Sequence, residues 1–129
     1  MKLYTQSQYD QLIKNGHERN KDHFPVIKLF MPGTGCTWLI TELDPEQPDI
    51  AFGLCDLGMG HPELGYVSLE EISSVKSRYG LGVERDLYFE AKYPISVYAN
   101  AARSCQYITE NDTILSRHVK QKHPAFTPS

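Results

Sequence analysis

A chain of 129 residues, 40% hydrophobic and 22% charged, is the size of one ordinary domain, and its composition is that of neither a disordered chain nor a membrane protein. Its formal charge of −3 hides an asymmetry: no Lys or Arg lies between Lys28 and Lys76, a stretch holding eight acids, while residues 1–28 carry +2 and residues 76–129 carry +3. Unless the flanks fold back and neutralise it, such a centre repels nucleic acid and attracts basic partners.

In chain order, Thr5 is expected to cap a short first helix with Tyr9, Leu12 and Ile13 on one face and Gly16 in the C′ position. The polar residues 17–22 read as a loop, residues 24–31 as a first strand and residues 32–35 as its turn. Strand two, from residue 37 to 43, and strand three, from 50 to 57, flank a segment with two prolines. Pro45 and Pro48 deny ladder hydrogen bonds, and the segment has the length of a hairpin turn, so these two strands should be antiparallel. A glycine-containing loop leads to a short fourth strand at residues 64–67. Ser68 and Glu71 then have the spacing of a capping box, opening a helix that carries Leu69, Ile72 and Val75 and stops near Arg78.

Residues 83–90 alternate in the manner of a half-exposed strand. Pro94 fits the first position of a helix running through Tyr98 and Ala102. Asn111 and Asp112 are placed to cap a last helix over residues 113–122, with Ile114, Leu115 and Val119 on its apolar face, and residues 123–129 read as a disordered tail. The order describes a single α+β domain: a largely antiparallel sheet of four to five strands with helices packed on one face. Residues 1–107 would form the domain and residues 108–129 a C-terminal helix and flexible tail.

The densest set of polar functional groups is Cys55, Asp56, His61 and Glu63, all metal-ligand or acid/base types. Their spacing matches no zinc pattern, and the adjacent strand residues Cys55 and Asp56 point to opposite faces, so a packed cysteine beside surface polar groups is the simpler reading. Cys55 with His61 or His23 has the residue types of a nucleophile and base, against which stands inert packing on a sheet. Glu42 and Asp44 fall on the face of strand two that holds Trp38 and Ile40, as either a carboxylate pair for acid/base work or a solvated strand end. Residues 33–35 and 58–60 are glycine-rich but lack the lysine of a phosphate loop. Trp38, Tyr66, Tyr88 and Phe89 have the rings of a stacking platform without the cations one needs. Arg85 reads as a structural partner for an acid of the central stretch. The last helix, with Arg117, His118, Lys120, Lys122 and, just beyond it, His123, is either a phosphate or partner contact or a solvated face.

Three ordered blocks carry a likeness: residues 37–42 (TWLITE) with Phe52 and Gly53, residues 63–72 (ELGYVSLEEI) and residues 83–89 (VERDLYF). Together they resemble a small bacterial domain family of unknown function whose members are carried on plasmids, integrative conjugative elements and phages. The likeness spans about residues 24–100. It implies a cytoplasmic accessory protein of a mobile element, often found beside anti-restriction genes, and it implies no reaction, substrate or catalytic residue. The three widely spaced cysteines and the apolar-poor N-terminal start agree with a reducing compartment.

The resemblance and the acidic centre together lead us to expect a non-enzymatic inhibitor of a host defence complex, of the anti-restriction or anti-CRISPR type. It would need no cofactor or metal and would bind a host nucleic-acid-binding protein through Glu42, Asp44, Glu46, Asp49, Glu63 and Glu70 standing in for phosphates. Direct binding to nucleic acid or membrane is not expected. The alternatives are a metal-dependent or single-stranded-DNA-acting enzyme centred on Asp56, His61 and Glu63, and a regulatory domain that forms a homodimer through its last helix.

Overall fold

Residues 27, 29, 38 and 40 alternate with 28, 30, 37 and 39, so the strands they build must present two different faces. The computed structural model describes residues 2–125 of the chain, and the side chains of residues 2–119. Its described elements are α1 (Gln6–Gly16), β1 (Ile27–Phe30), β2 (Cys36–Leu43), β3 (Ile50–Leu57), β4 (Glu63–Ser68), α2 (Leu69–Ser74), β5 (Glu84–Arg85), α3 (Ile95–Cys105) and α4 (Asp112–Ala125). The five strands form one sheet in the order β4-β3-β2-β1-β5, with every neighbouring pair antiparallel. This is the α+β class expected of the chain.

The layering differs from expectation, because the helices lie on both faces. On one face, Ile27, Leu29, Trp38, Ile40, Leu43 and Ala51 pack with Leu12 of α1 and with Leu69 and Ile72 of α2. On the other, Leu39 and Leu54 pack with Tyr98, Ala101 and Ala102 of α3 and with Leu115 of α4. The physical reason is visible in β2 and β3: Leu39 pairs with Leu54 while Trp38 pairs with Cys55, so the central strands are apolar on both sides. Each side therefore needs its own cover.

Local chemistry explains where the elements stop. In α1, Thr5 Oγ1 accepts from the Gln8 amide at 3.1 Å and Gln8 Oε1 accepts from the Thr5 amide at 2.8 Å, a reciprocal capping box. Gly16 is not the C′ residue; it closes the helix itself, and His17 caps it in a right-handed conformation. A Cβ at Gly16 would stand 1.9 Å from the Leu43 carbonyl oxygen, so the glycine is there for close approach to β2. Helix α2 ends at Ser74, a turn earlier than expected, where the Ser73 and Ser74 hydroxyls fold back onto the Glu70 and Glu71 carbonyls and compete with continued helix.

Strand β1 is shorter than the expected residues 24–31. Only residues 84–85 of the expected strand over 83–90 pair with it. The Asp86 carboxylate then accepts from the Tyr88 amide at 2.9 Å and turns the chain away. Pro94 is the N-cap of α3 rather than its first residue. Asn111 Oδ1 accepts from the Ile114 amide at 3.1 Å at the start of α4. That helix runs through Ala125, so residues 123–125 of the expected tail are helical, and residues 126–129 lie outside the described residues. Among the described residues no helix is long and apolar enough to cross a membrane.

Candidate functional site

The site begins with an irregularity in β2. Ile40 pairs with Gly53, but Glu42 pairs with Phe52, so one residue, Thr41, is extra. A bulge of this kind moves every following side chain to the other face. Glu42 therefore does not share the Trp38 and Ile40 face, as alternation predicted, but sits on the opposite face beside Phe52. The bulge is held from two sides. Asn15 of α1 donates to the Thr41 carbonyl at 2.8 Å, and the Thr41 hydroxyl donates to the Phe52 carbonyl at 3.2 Å.

Glu42 forms part of the wall of a cleft of about 560 Å3 that His17, Arg19, Asn20, Phe52 and Tyr66 complete. Its residue is only 7% exposed. Burial pushes the Glu42 carboxyl above its ordinary value, and His23 and Arg19 nearby pull it part of the way back. The rings of Phe52 and Tyr66 lie 5.0 Å apart, and Arg19 donates to the Tyr66 hydroxyl at 2.8 Å, joining the loop after α1 to the edge strand β4. That loop is itself anchored. The Asp22 carboxylate accepts from the Ser96 amide and hydroxyl, the Ile95 amide donates to the His23 carbonyl, and His23 Nε2 donates to the Glu18 carbonyl.

The remaining acids of the expected binding set are distributed unequally. Asp44 and Glu46 lie in the β2–β3 turn, where Asp44 Oδ1 accepts from the Glu46 amide at 2.9 Å. Asp49 straps that turn to α2, since its carboxylate accepts from the Ser68 hydroxyl at 2.5 Å and the Glu70 amide at 2.8 Å. Asp44, Glu46, Asp49 and Glu70 thus gather at one end of the sheet. Glu63 opens β4 at the opposite end, paired with Cys55. Beside the gathered acids is a second cleft of about 520 Å3, bounded by Lys2, Leu3, Tyr4, Tyr9, Pro48 and Leu69 among others, with Asp49 and Glu70 at its border.

Of the other candidate groups, Cys55 and Glu63 are cross-strand neighbours, whereas Asp56 is turned to the opposite face. Asp56 is buried, and its two carboxylate oxygens accept from the Gly58 amide at 2.8 Å and the Ile108 amide at 3.0 Å, a structural tie from β3 to the segment before α4. Cys55 faces the α1 side of the sheet, and burial pushes its thiol up to about 11. A protonated thiol of this kind is a poor nucleophile at neutral pH. Among the described residues no three His, Cys, Asp or Glu side chains are placed to hold a metal ion.

Nor do the rings form a platform: Trp38 is in the core, Phe89 packs against the α3 cluster and Tyr88 is exposed. Arg85 donates to the Lys2 carbonyl at 3.3 Å. In the last helix, His118 is buried and Arg117 exposed, while the side chains of Lys120, Lys122 and His123 lie outside the described residues. The glycines of residues 33–35 and 58–60 do what turns need: Gly33, Gly58 and Gly60 have positive φ, and Gly35 and Gly58 lie side by side, where a Cβ on Gly35 would stand 3.2 Å from the Gly58 Cα.

Sequence reasoning missed Arg19, His17 and Asn20 as neighbours of Glu42 in one cleft, because their convergence depends on the bulge. The local signal was the polar run at residues 17–22 next to a helix end. It also missed Tyr4 and Tyr9 as neighbours of the acidic turn.

The arrangement defines a small antiparallel α+β domain whose clefts include a polar one around Glu42 and an apolar one bordered by Asp49, Glu70 and Lys2. The match to a family model fixes the relationship more closely. Residues 3–109 match the family described as Protein of unknown function (DUF2958), and the chain belongs to that family. No curated protein and no solved structure matches the chain.

Proposed function

We propose that the protein is a non-enzymatic binding module of a mobile genetic element, which inhibits a host defence complex by docking through the acidic end of its sheet. The observation that carries this reading is the anatomy of that end. Leu3, Tyr4, Tyr9, Pro48 and Leu69 bound an apolar cleft, Asp49 and Glu70 border it with a single cation among the described residues, Lys2, and Asp44 and Glu46 stand in the adjoining turn. An apolar centre within a polar, charged rim is how protein interfaces are built, with the rim charges steering encounter. A partner that binds nucleic acid would offer the complementary Lys and Arg. The mobile-element setting rests on the resemblance of the three sequence blocks, and a cytoplasmic location follows from that setting.

Asp49 also holds the start of α2, so the test reverses Glu46 and Glu70 instead. Tagged protein is used to capture partners from nuclease-treated host lysate at low and high salt, and association of the captured complex is then timed. Glu46→Lys with Glu70→Lys should slow association about tenfold or more at low salt and flatten its salt dependence. An association rate equal to that of the unaltered protein would overturn the reading.

A further inference from the structure

The cleft around Glu42 lies on the other side of the sheet from the docking end, and the docking reading makes no use of it. Glu42 is more than nine-tenths buried as a residue, forms part of the cleft wall, and has no hydrogen bond or ion pair among the described residues, so its carboxylate oxygens are left to the cleft opening. A largely buried carboxylate with no protein donor is a group that a ligand entering the cleft can satisfy. The fold does not place Glu42 there by default. It spends a bulge, held by Asn15 and Thr41, to turn the side chain out of the core and into the cleft.

The lining restricts what a ligand can be. Opposite a carboxylate, the best complement is a planar group with two adjacent N–H donors, which a carboxylate accepts in parallel. The Phe52 and Tyr66 rings provide apolar surface for a flat group. Arg19, His17 and Asn20 provide donors and positive charge for an anionic portion. A bare cation would satisfy Glu42 but meet Arg19. Among the nucleobases, guanine alone presents two adjacent donors, N1–H and the 2-amino group, on its Watson–Crick edge. Adenine and cytosine each pair a donor with an acceptor there, and uracil sets one N–H between two carbonyls. The cleft volume of about 560 Å3 is within the usual range for small-molecule sites.

We propose that this cleft takes a guanine nucleotide unit, with the guanine Watson–Crick edge on Glu42, the base against Phe52 and Tyr66, and the phosphate toward Arg19 and His17. The same chemistry occurs in a free nucleotide and in an unpaired guanine of a single strand. The net charge of −3 opposes a long polyanion and favours the free nucleotide.

The test titrates the full chain with 5′-GMP, AMP, CMP and UMP, following backbone amides by NMR. GMP should give saturable shifts at residues 17–20, 42, 52 and 66, and the other three should bind at least tenfold more weakly. Glu42→Gln replaces an acceptor by an amide donor and should reduce GMP binding at least tenfold. Tyr66→Ala, at an exposed position, should weaken it several-fold and serves if the first variant fails to fold. A TTGTT pentamer compared with TTATT separates the sources. Guanine-dependent pentamer binding tighter than GMP assigns the site to single strands, and binding equal to or weaker than GMP assigns it to the free nucleotide. Absence of saturable GMP binding at millimolar concentration, equal binding of all four nucleotides, or shifts confined to other residues would overturn the proposal. None of these results bears on docking at the acidic end, which has its own variants.

Discussion

Replacing Asp56 by alanine tests whether this residue is part of the architecture or part of a reactive centre. Asp56 is 3% exposed and accepts from two backbone amides, Gly58 at 2.8 Å and Ile108 at 3.0 Å. Hydrogen bonds to a charged acceptor contribute about 1.5–3 kcal/mol each, and removing the acceptor leaves both donors without it. Because the two bonds share one carboxylate, their losses are not independent, and Asp56→Ala should cost about 3–5 kcal/mol in total. That is a large part of the roughly 5–15 kcal/mol that holds a domain together. Urea unfolding followed by circular dichroism measures the loss, and hydrogen exchange at the Ile108 amide locates it. Asp56→Asn keeps one acceptor oxygen but opposes an amide donor to the other N–H, so it should lose roughly half as much. A loss below about 1 kcal/mol for the alanine variant, with the Ile108 amide still protected, would refute the structural role and return Asp56 to the list of reactive candidates.

Three further perturbations follow from other contacts. Gly16→Ala gains helix propensity, but its Cβ would collide with the Leu43 carbonyl. It should destabilise the protein by about 2 kcal/mol or more in urea unfolding, and a stability equal to or above that of the parent would contradict the close approach. Burial raises the Glu42 carboxyl, so the folded protein binds that proton more tightly than the unfolded chain, and stability is lost as pH rises through the carboxylate range. Glu42→Gln should therefore raise the melting temperature at pH 7 by a few degrees, with the gain shrinking toward pH 4. A lower melting temperature at pH 7 would show that the charge is stabilising. Raising the Cys55 thiol from 9.0 to about 11 lowers its thiolate fraction at pH 8 by about a hundredfold. In a Cys36→Ser, Cys105→Ser background, alkylation of Cys55 should be slower by at least that factor in the folded than in the unfolded protein, and equal rates would contradict its burial.

Much of the fold was legible because local and global signals agreed. The Thr5 and Ser68 caps, the two prolines between β2 and β3, and the alternation in β2 each specify an element by backbone chemistry alone. Helices on both faces were legible in principle, since Leu39 and Leu54 are apolar on the side opposite Trp38, yet a strand apolar on both sides gives no direct sign of which helix covers which side. The extent of β5 was not legible. Alternation at residues 83–90 satisfies the strand pattern, but a strand needs a partner, and β1 offers only Leu29 and Phe30 for pairing. The Glu42 cleft was the least legible feature. Its carboxylate was singled out for its type and placed on the wrong face, because a single bulge at Thr41 overrides the period-two rule, and no local residue pattern at Thr41 announced it. Arg19 then meets Glu42 only through a loop anchored by Asp22 and Ser96, a contact between residues 74 positions apart.

The extra residue in β2 also governs which length changes the chain can survive. Remove Thr41, and the ladder closes over the gap with its pairs unchanged: Glu42 still stands opposite Phe52 on the cleft side and Leu43 opposite Ala51 in the core, and only the Asn15 and Phe52 hydrogen bonds to Thr41 are lost. Removing a second residue with it leaves the strand one short and puts Leu43 opposite Phe52, on the wrong face. In a library of single-codon deletions across residues 38–43, loss of Thr41 should accordingly be the best tolerated, whereas loss of Leu39 or Ile40, which brings Thr41 into the core position opposite Gly53, should be purged from the folded members.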